Sequence, residues 1–418
     1  MQVRQPVFLR RLTAPGSEAF AVLYGLESMA RALLATVIPL EALRLLGSAQ
    51  GVSQFFFAVS IFSLLGCLAV PWLIRRSARR AVYTIAFLLL ALAPAFLAQA
   101  TPGLFLLGMI LRALAVGAAT ICLSLYIMQF IGRQDFSRSE PTRLFYSAGA
   151  WCFGPFVGVY LGEAVHPLLP YALSAVCAMA TLGYFWLLRI REDPAVKSAP
   201  VVTPSPLRYV RHFFTQPRLG LAWLISTGRN VWWVIFFIYA PIYAVETGLG
   251  KVAGGAIVSL GTAFLFAMPM LGRLARRHGI RWIFVGGFTI AGGCTVGMLV
   301  VWDAPIVAAM MLICAAIGMT AVDATGNVLF MLSVRKRERA EMTAVYSTFR
   351  DVADILPPAT FSVLLKFFEL PVVFFVGGAT AFGLAFLSTM VHPRLGRPGR
   401  GDAMPLSRQQ ARAGAGLG

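Results

Sequence analysis

The segments "PWLIRRSARR" (Pro71–Arg80) and "GRLARRHGIR" (Gly272–Arg281) have one design and lie about 200 residues apart. In each, an apolar run ends, a cluster of arginines follows, and a new apolar run begins. Two more pairs share that offset. "VGAAT" around Gly117 matches "IGMTA" around Gly318, and Tyr146-Ser147 matches Tyr346-Ser347. Several matches beside equivalent loops indicate an internal duplication. In a membrane protein this points to two similar helical bundles with a binding site between them near mid-membrane.

Composition gives the same class. Of 418 residues, 58% are hydrophobic and 13% charged, too few polar groups to cover a soluble protein of this size. The apolar residues come in runs long enough to cross a bilayer. The spans are expected at 19–46, 50–74, 81–99, 103–131, 144–165, 169–190, 219–246, 252–272, 282–301, 304–332, 342–366 and 370–392. The fold class is therefore an all-α membrane protein, with twelve transmembrane helices in two pseudo-symmetric six-helix bundles. The expected divisions are a first bundle over 1–191, a linker over 192–216, a second bundle over 217–392 and a disordered tail over 393–418. Within the linker, Pro206 to Phe214 is basic and aromatic, and a helix lying on the membrane surface is one reading of it.

The net charge of +19 does not call for nucleic acid. Of 36 Lys and Arg residues, 29 fall on the side shared by the N-terminus, the linker and the C-terminus. Only Arg44, Lys251 and Lys366 fall on the other. The positive-inside rule makes the basic side cytoplasmic, with both termini there, and its arginines face anionic lipid headgroups. The first apolar stretch is too long for a cleaved signal peptide. Cys67, Cys122, Cys152, Cys177, Cys294 and Cys314 lie singly in apolar runs, so neither a disulfide framework nor a zinc site is expected. The four histidines sit in loops or at helix ends. No nucleotide loop or redox motif appears. No cofactor is expected, and neither enzyme chemistry nor ATP-driven transport is favoured.

With these features in view, the chain resembles the major facilitator superfamily over nearly its whole length. The loop signature of that family is matched in the second half by Gly272, Arg276, Arg277, Gly279 and Arg281, and in the first by Arg76, Arg79 and Arg80. Arg75 and Arg276 stand where the family usually carries Asp, so its charge-relay role does not carry over; a positive-inside anchor accounts for these arginines equally well. "GAWCFGPFVG" in span five resembles the family's antiporter motif, with Gly149, Gly154, Pro155 and Gly158 in register and Val159 in place of the final Gly. Arg112, ahead of Gly117 in span four, is similar to the arginine of the family's proton-linked exporters. The resemblance implies alternating access, with spans one, four, seven and ten lining a cavity and span eleven flanking it.

The charges inside the spans fit that implication. "YSTFRDVADILPP" (Tyr346–Pro358) places Arg350, Asp351 and Asp354 within five residues of each other. Glu27, Arg31, Arg112, Arg229 and Asp323 complete the set. Each costs about 2.5–3.5 kcal/mol at the centre of a lipid-facing helix, so these residues must meet water or one another. Glu27 and Arg31 share a helical face, as do Arg350 and Asp354. Static salt bridges would explain any single pair, but eight such residues are an expensive fastening. A proton site follows from simple electrostatics: low dielectric favours a neutral carboxyl, and a nearby arginine favours the ionised form. Helix movement that separates the two binds a proton, and rejoining releases it. Glu27, Asp323, Asp351 and Asp354 are the candidate acids.

Arg31 and Arg229, on the first spans of the two halves, are similar to the anion clamp of the family's organic-phosphate exchangers. With Arg112, Arg350, Tyr24, Trp233 and Asn327 they form the candidate substrate-binding set, whose aromatic members suit an organic solute. The expected activity is proton-coupled transport of a small anionic or amphipathic solute by a monomer in the inner membrane, with export favoured. The alternatives are proton-coupled uptake of a metabolite or metal chelate, and a membrane scaffold that does not transport. A scaffold has no use for a wet, charged cavity.

Overall fold

The computed structural model describes residues 17–99, 101–130, 136–188, 206–334 and 339–392. All regular structure among them is helical. Six spans form the first bundle. They are span one (Ser17–Ala32 and Val37–Leu46), two (Ala49–Arg76), three (Arg79–Leu97), four (Pro102–Phe130), five (Phe136–Ala164) and six (Leu169–Leu187). A linker helix, Pro206–Phe214, precedes the second six. These are span seven (Pro217–Glu246), eight (Lys251–Ala263, a 3-10 turn Phe264–Ala267, and Met268–His278), nine (Ile280–Gly297), ten (Pro305–Ser333), eleven (Arg339–Ser347 and Phe349–Leu364) and twelve (Pro371–Ser388).

Local chemistry sets many of these ends. Proline opens spans four, six, seven, ten and twelve within their first two positions, where its missing N–H loses no helical bond. Gly47, at φ 72°, closes span one in the left-handed region. The Ser48 side chain then caps span two by accepting from the Gly51 N–H at 3.1 Å.

Among the described residues, eleven of the twelve spans are long and apolar enough to cross a membrane. The exception is span eleven. A break at Thr348 leaves its main segment at 16 residues, and that segment carries Arg350, Asp351 and Asp354. Spans one and eight are also interrupted, which the apolar runs did not reveal. In span one the Ala35 N–H turns back to the Ala32 carbonyl at 3.1 Å, and Pro39 offers no N–H to the carbonyl of Ala35. Helix Pro206–Phe214 buries Phe213 completely, while Phe214 meets Trp223 edge to face at 5.4 Å. It thus packs against the second bundle. The stretch 192–205 and the tail over 393–418 lie outside the described residues.

Each bundle has an aromatic centre. In the first, Tyr83 packs on Phe185 at 4.4 Å and on Phe87 at 4.8 Å. In the second, Trp232 stacks on Phe236 at 5.2 Å. The duplication is visible in matching polar contacts. Ser28 of span one bonds Ser147 of span five at 3.0 Å. Ser226 of span seven bonds Tyr346 of span eleven at 2.6 Å.

Candidate functional site

Between the bundles lies a cavity of about 270 Å³. Its walls come from four spans. Span two gives Phe56, Ser60 and Ser63, span four gives Arg112, span seven gives Phe237, and span eleven gives Asp351 and Asp354. A cation on one bundle and two acids on the other therefore line one cavity, with aromatic rings in the same walls. The Asp354 and Arg350 residues are exposed, Asp354 to the cavity. Ser60 Oγ donates to the Asp354 carbonyl oxygen at 3.0 Å, tying spans two and eleven.

On the first bundle, Glu27 is fully buried, and neither carboxylate oxygen has a hydrogen-bond partner. Arg31 Nη1 stands 3.8 Å from it and keeps 28% side-chain exposure. Arg112 Nη2 donates to the Arg31 carbonyl oxygen at 2.9 Å. In an unbroken helix the N–H of Ala35 would fill that role, and the break in span one has diverted it to Ala32. Arg112 thus lines the cavity and caps the broken span. Tyr24 lies beneath the Arg143 guanidinium, 4.7 Å from the ring centre, and packs with the first-bundle core.

On the second bundle, Arg229 Nε lies 3.0 Å from Asp323 Oδ1, off the line of a hydrogen bond, and Trp233 Nε1 donates to Asp323 Oδ2 at 2.6 Å. A Cβ at Gly326 would strike Arg229 Nη1, so any larger residue there must displace the guanidinium. Asn327 is exposed and accepts a long bond, 3.4 Å, from Tyr346 Oη. Arg350 and Asp354 make no ion pair with each other, although they share a helical face. The Arg350 guanidinium lies 5.6 Å from the centre of the Phe349 ring.

The glycines of span five have a direct steric reason. A Cβ on Gly154 would lie 2.9 Å from the carbonyl carbon of Ala32, and one on Gly158 would run into the Leu33 carbonyl. Span five therefore presses on span one at its break. On another face, Gly255 of span eight sits against Pro155, Phe156 and Val159. Where Val159 replaces the motif's last glycine, the partner helix supplies one. Gly149 is looser, 4.0 Å from Phe266. Gly272 and the exposed Arg277 lie in helix Met268–His278; the Arg276 side chain is outside the described ones.

The bundles are joined on the side remote from the basic loops. Lys251 Nζ pairs with Glu163 Oε1 at 2.8 Å, Ser53 bonds Tyr239 at 2.7 Å, and Ser259 Oγ accepts from the Phe156 N–H at 2.9 Å. Toward mid-depth Thr262 Oγ1 donates to the Trp151 carbonyl at 2.8 Å. Span two's contribution was legible but overlooked. Ser53, Ser60 and Ser63 recur at helical spacing, the one polar stripe in that span.

A family profile described as Major Facilitator Superfamily matches residues 20–358. The chain belongs to this superfamily. Solved structures share the fold. A peptide transporter POT in complex with sulfate has a TM-score of 0.71 at 15% identity, covering 92% of this chain and 95% of its own. The nucleoside transporter NupG has 0.65 at 14%, covering 89% and 98%. A POT family transporter in complex with 5-aminolevulinic acid has 0.71 at 12%, covering 91% and 97%. No curated protein matched. The chain is thus a multi-pass membrane transporter of the secondary, major facilitator type and not an enzyme.

Proposed function

We propose that this facilitator couples proton movement to the transport of a small organic solute through the cavity between its bundles. The observation that carries this reading is the lining, with Arg112 on the first bundle and Asp351 and Asp354 on the second around one cavity. An amphipathic solute with an anionic group engages Arg112 and the half-buried Arg31, and its apolar part rests on Phe56 and Phe237. Asp354 and Glu27 are the proton carriers. Asp323 plays a different part, because Arg229 and Trp233 hold it fixed. The clamp pairing Arg31 with Arg229 gains less support, since Arg229 is buried against Asp323.

The contacts remote from the basic loops close that face, so this state admits solute from the basic side. The arginine asymmetry supports the cytoplasm as that side, with both termini there and the chain in an inner membrane. Loading from the cytoplasm and the glycine motif of span five favour export. The divisions at 191, 216 and 392 follow from the same reading, as does a monomer as the working unit.

The test is accumulation by purified protein in liposomes with an imposed pH gradient, screening organic anions and amphipathic amines. Asp354→Asn and Glu27→Gln should abolish gradient-driven flux and spare exchange at equal pH. Full accumulation by both variants would remove the proton assignment. Uptake in the opposite sense, with the same lining, would keep the site and reverse the direction.

A further inference from the structure

The duplicated arginine loops are used differently in the two halves. After span two, Arg76 lies over Trp72 at 4.5 Å, Arg79 over Tyr126 at 5.3 Å, and Arg80 over Trp186 at 3.8 Å. These cations are turned onto rings of the protein itself. After span eight, Arg273, Arg277 and Arg281 have neither ring nor carboxylate beneath them among the described residues. Trp282 beside them is 60% exposed, and no guanidinium covers it.

Next to these arginines is a shallow groove of about 390 Å³ lined by Leu274, His278, Trp282 and Ile283. It lies at the turn where span eight ends, at His278, and span nine begins, at Ile280, among the basic residues that close the apolar run. Leu274 and His278 lie one helical turn apart. Arg273 and Arg277 form the ridge beside them at the same spacing. A groove at that depth meets acyl chain on one side and headgroup on the other.

We infer that this groove is a binding site for an anionic phospholipid. The headgroup phosphate sits against Arg273 and Arg277, and the first part of the acyl chain lies along Leu274, Ile283 and the Trp282 ring. The departure from the family's loop signature acquires a physical use here. With arginine where the family usually has Asp, no acid in the loop core repels the phosphate or competes for the guanidinium groups. The first-half loop does not make such a site, because Arg76, Arg79 and Arg80 already have aromatic partners.

The test uses the full chain in phosphatidylcholine nanodiscs carrying rising fractions of phosphatidylglycerol brominated on its acyl chains, or of brominated phosphatidylcholine. Trp282 fluorescence is taken as the difference between the native protein and Trp282→Phe. Half-quenching should need on the order of fivefold less brominated phosphatidylglycerol than phosphatidylcholine, or a still smaller fraction. Arg273→Gln with Arg277→Gln should erase that preference and leave quenching by phosphatidylcholine unchanged, which also reports a folded, inserted chain. Inorganic phosphate, against chloride at matched ionic strength, should not displace the lipid. Equal quenching by both lipids in the native protein, or a preference that survives the double substitution, would overturn the inference. So would displacement by phosphate alone.

Discussion

Replacing Gly158 by alanine adds one methyl group to span five, and the geometry fixes what it meets. Its Cβ collides with the Leu33 carbonyl oxygen and lies 2.8 Å from the Leu33 carbonyl carbon and 3.3 Å from its Cα. Non-bonded carbons settle at about 3.5–4.0 Å, so span five must retreat by roughly 1 Å or span one must move at its break. Backbone cannot turn aside as a side chain does. Overpacking of this kind costs about 1–3 kcal/mol. Against it, alanine gains about 0.8–1.0 kcal/mol of helix propensity over glycine. Gly183→Ala in span six provides the reference, because nothing lies within 4 Å of its new Cβ. The propensity gain is common to both, so the difference between them isolates the collision. Unfolding of each variant in detergent, followed by tryptophan fluorescence, should show Gly158→Ala less stable than Gly183→Ala by about 1–3 kcal/mol. Transport should fall with it. If the two variants unfold alike, span five does not press on the span-one break, and the reading of the glycine motif is wrong.

Three further outcomes follow from the site. Arg229→Leu strands Asp323 without its cation and should destabilise the chain by about 3–5 kcal/mol, whereas Arg229→Leu with Asp323→Leu should recover most of the loss; chemical denaturation of the pair checks this. Glu163→Gln removes an exposed ion pair, so stability should change by less than about 1 kcal/mol. Thiol labelling of Ser53→Cys from the face remote from the basic loops should nevertheless rise, because the Lys251 contact helps hold that face shut. Gly326→Ala should displace the Arg229 guanidinium and lower transport without abolishing expression, which a flux assay beside a quantified blot would show.

The fold was legible because bilayer thickness dictates apolar length and the basic loops repeat at one offset. The interruptions were not. In span one Pro39 was a visible cue, but the break is also held by the Leu33 backbone meeting Gly158 and by Arg112 taking the Arg31 carbonyl, contacts between residues far apart in sequence. Spacing placed Glu27 beside Arg31 correctly, since both lie on one regular helical segment. The same rule failed for Arg350 and Asp354. They share a face, but that face borders an open cavity, and Arg350 lies against Phe349 while Asp354 meets solvent. Trp233 as a donor to Asp323 could not be read from sequence, nor could Gly255 standing in for the glycine lost at Val159. Periodicity reports which face a residue is on; it does not report the opposing helix.

The central claim is a water-filled, charged passage between the bundles that opens to one side at a time. Ser63 lines that cavity. Ser63→Cys, with the six native cysteines replaced by serine or alanine, can be titrated with a charged, membrane-impermeant thiol reagent from either face of a proteoliposome. The account predicts rapid labelling from the basic side at rest, and a shift of reactivity to the opposite face when solute and a pH gradient drive turnover. A thiol at this position that stays unreactive from both sides, with or without turnover, would contradict it.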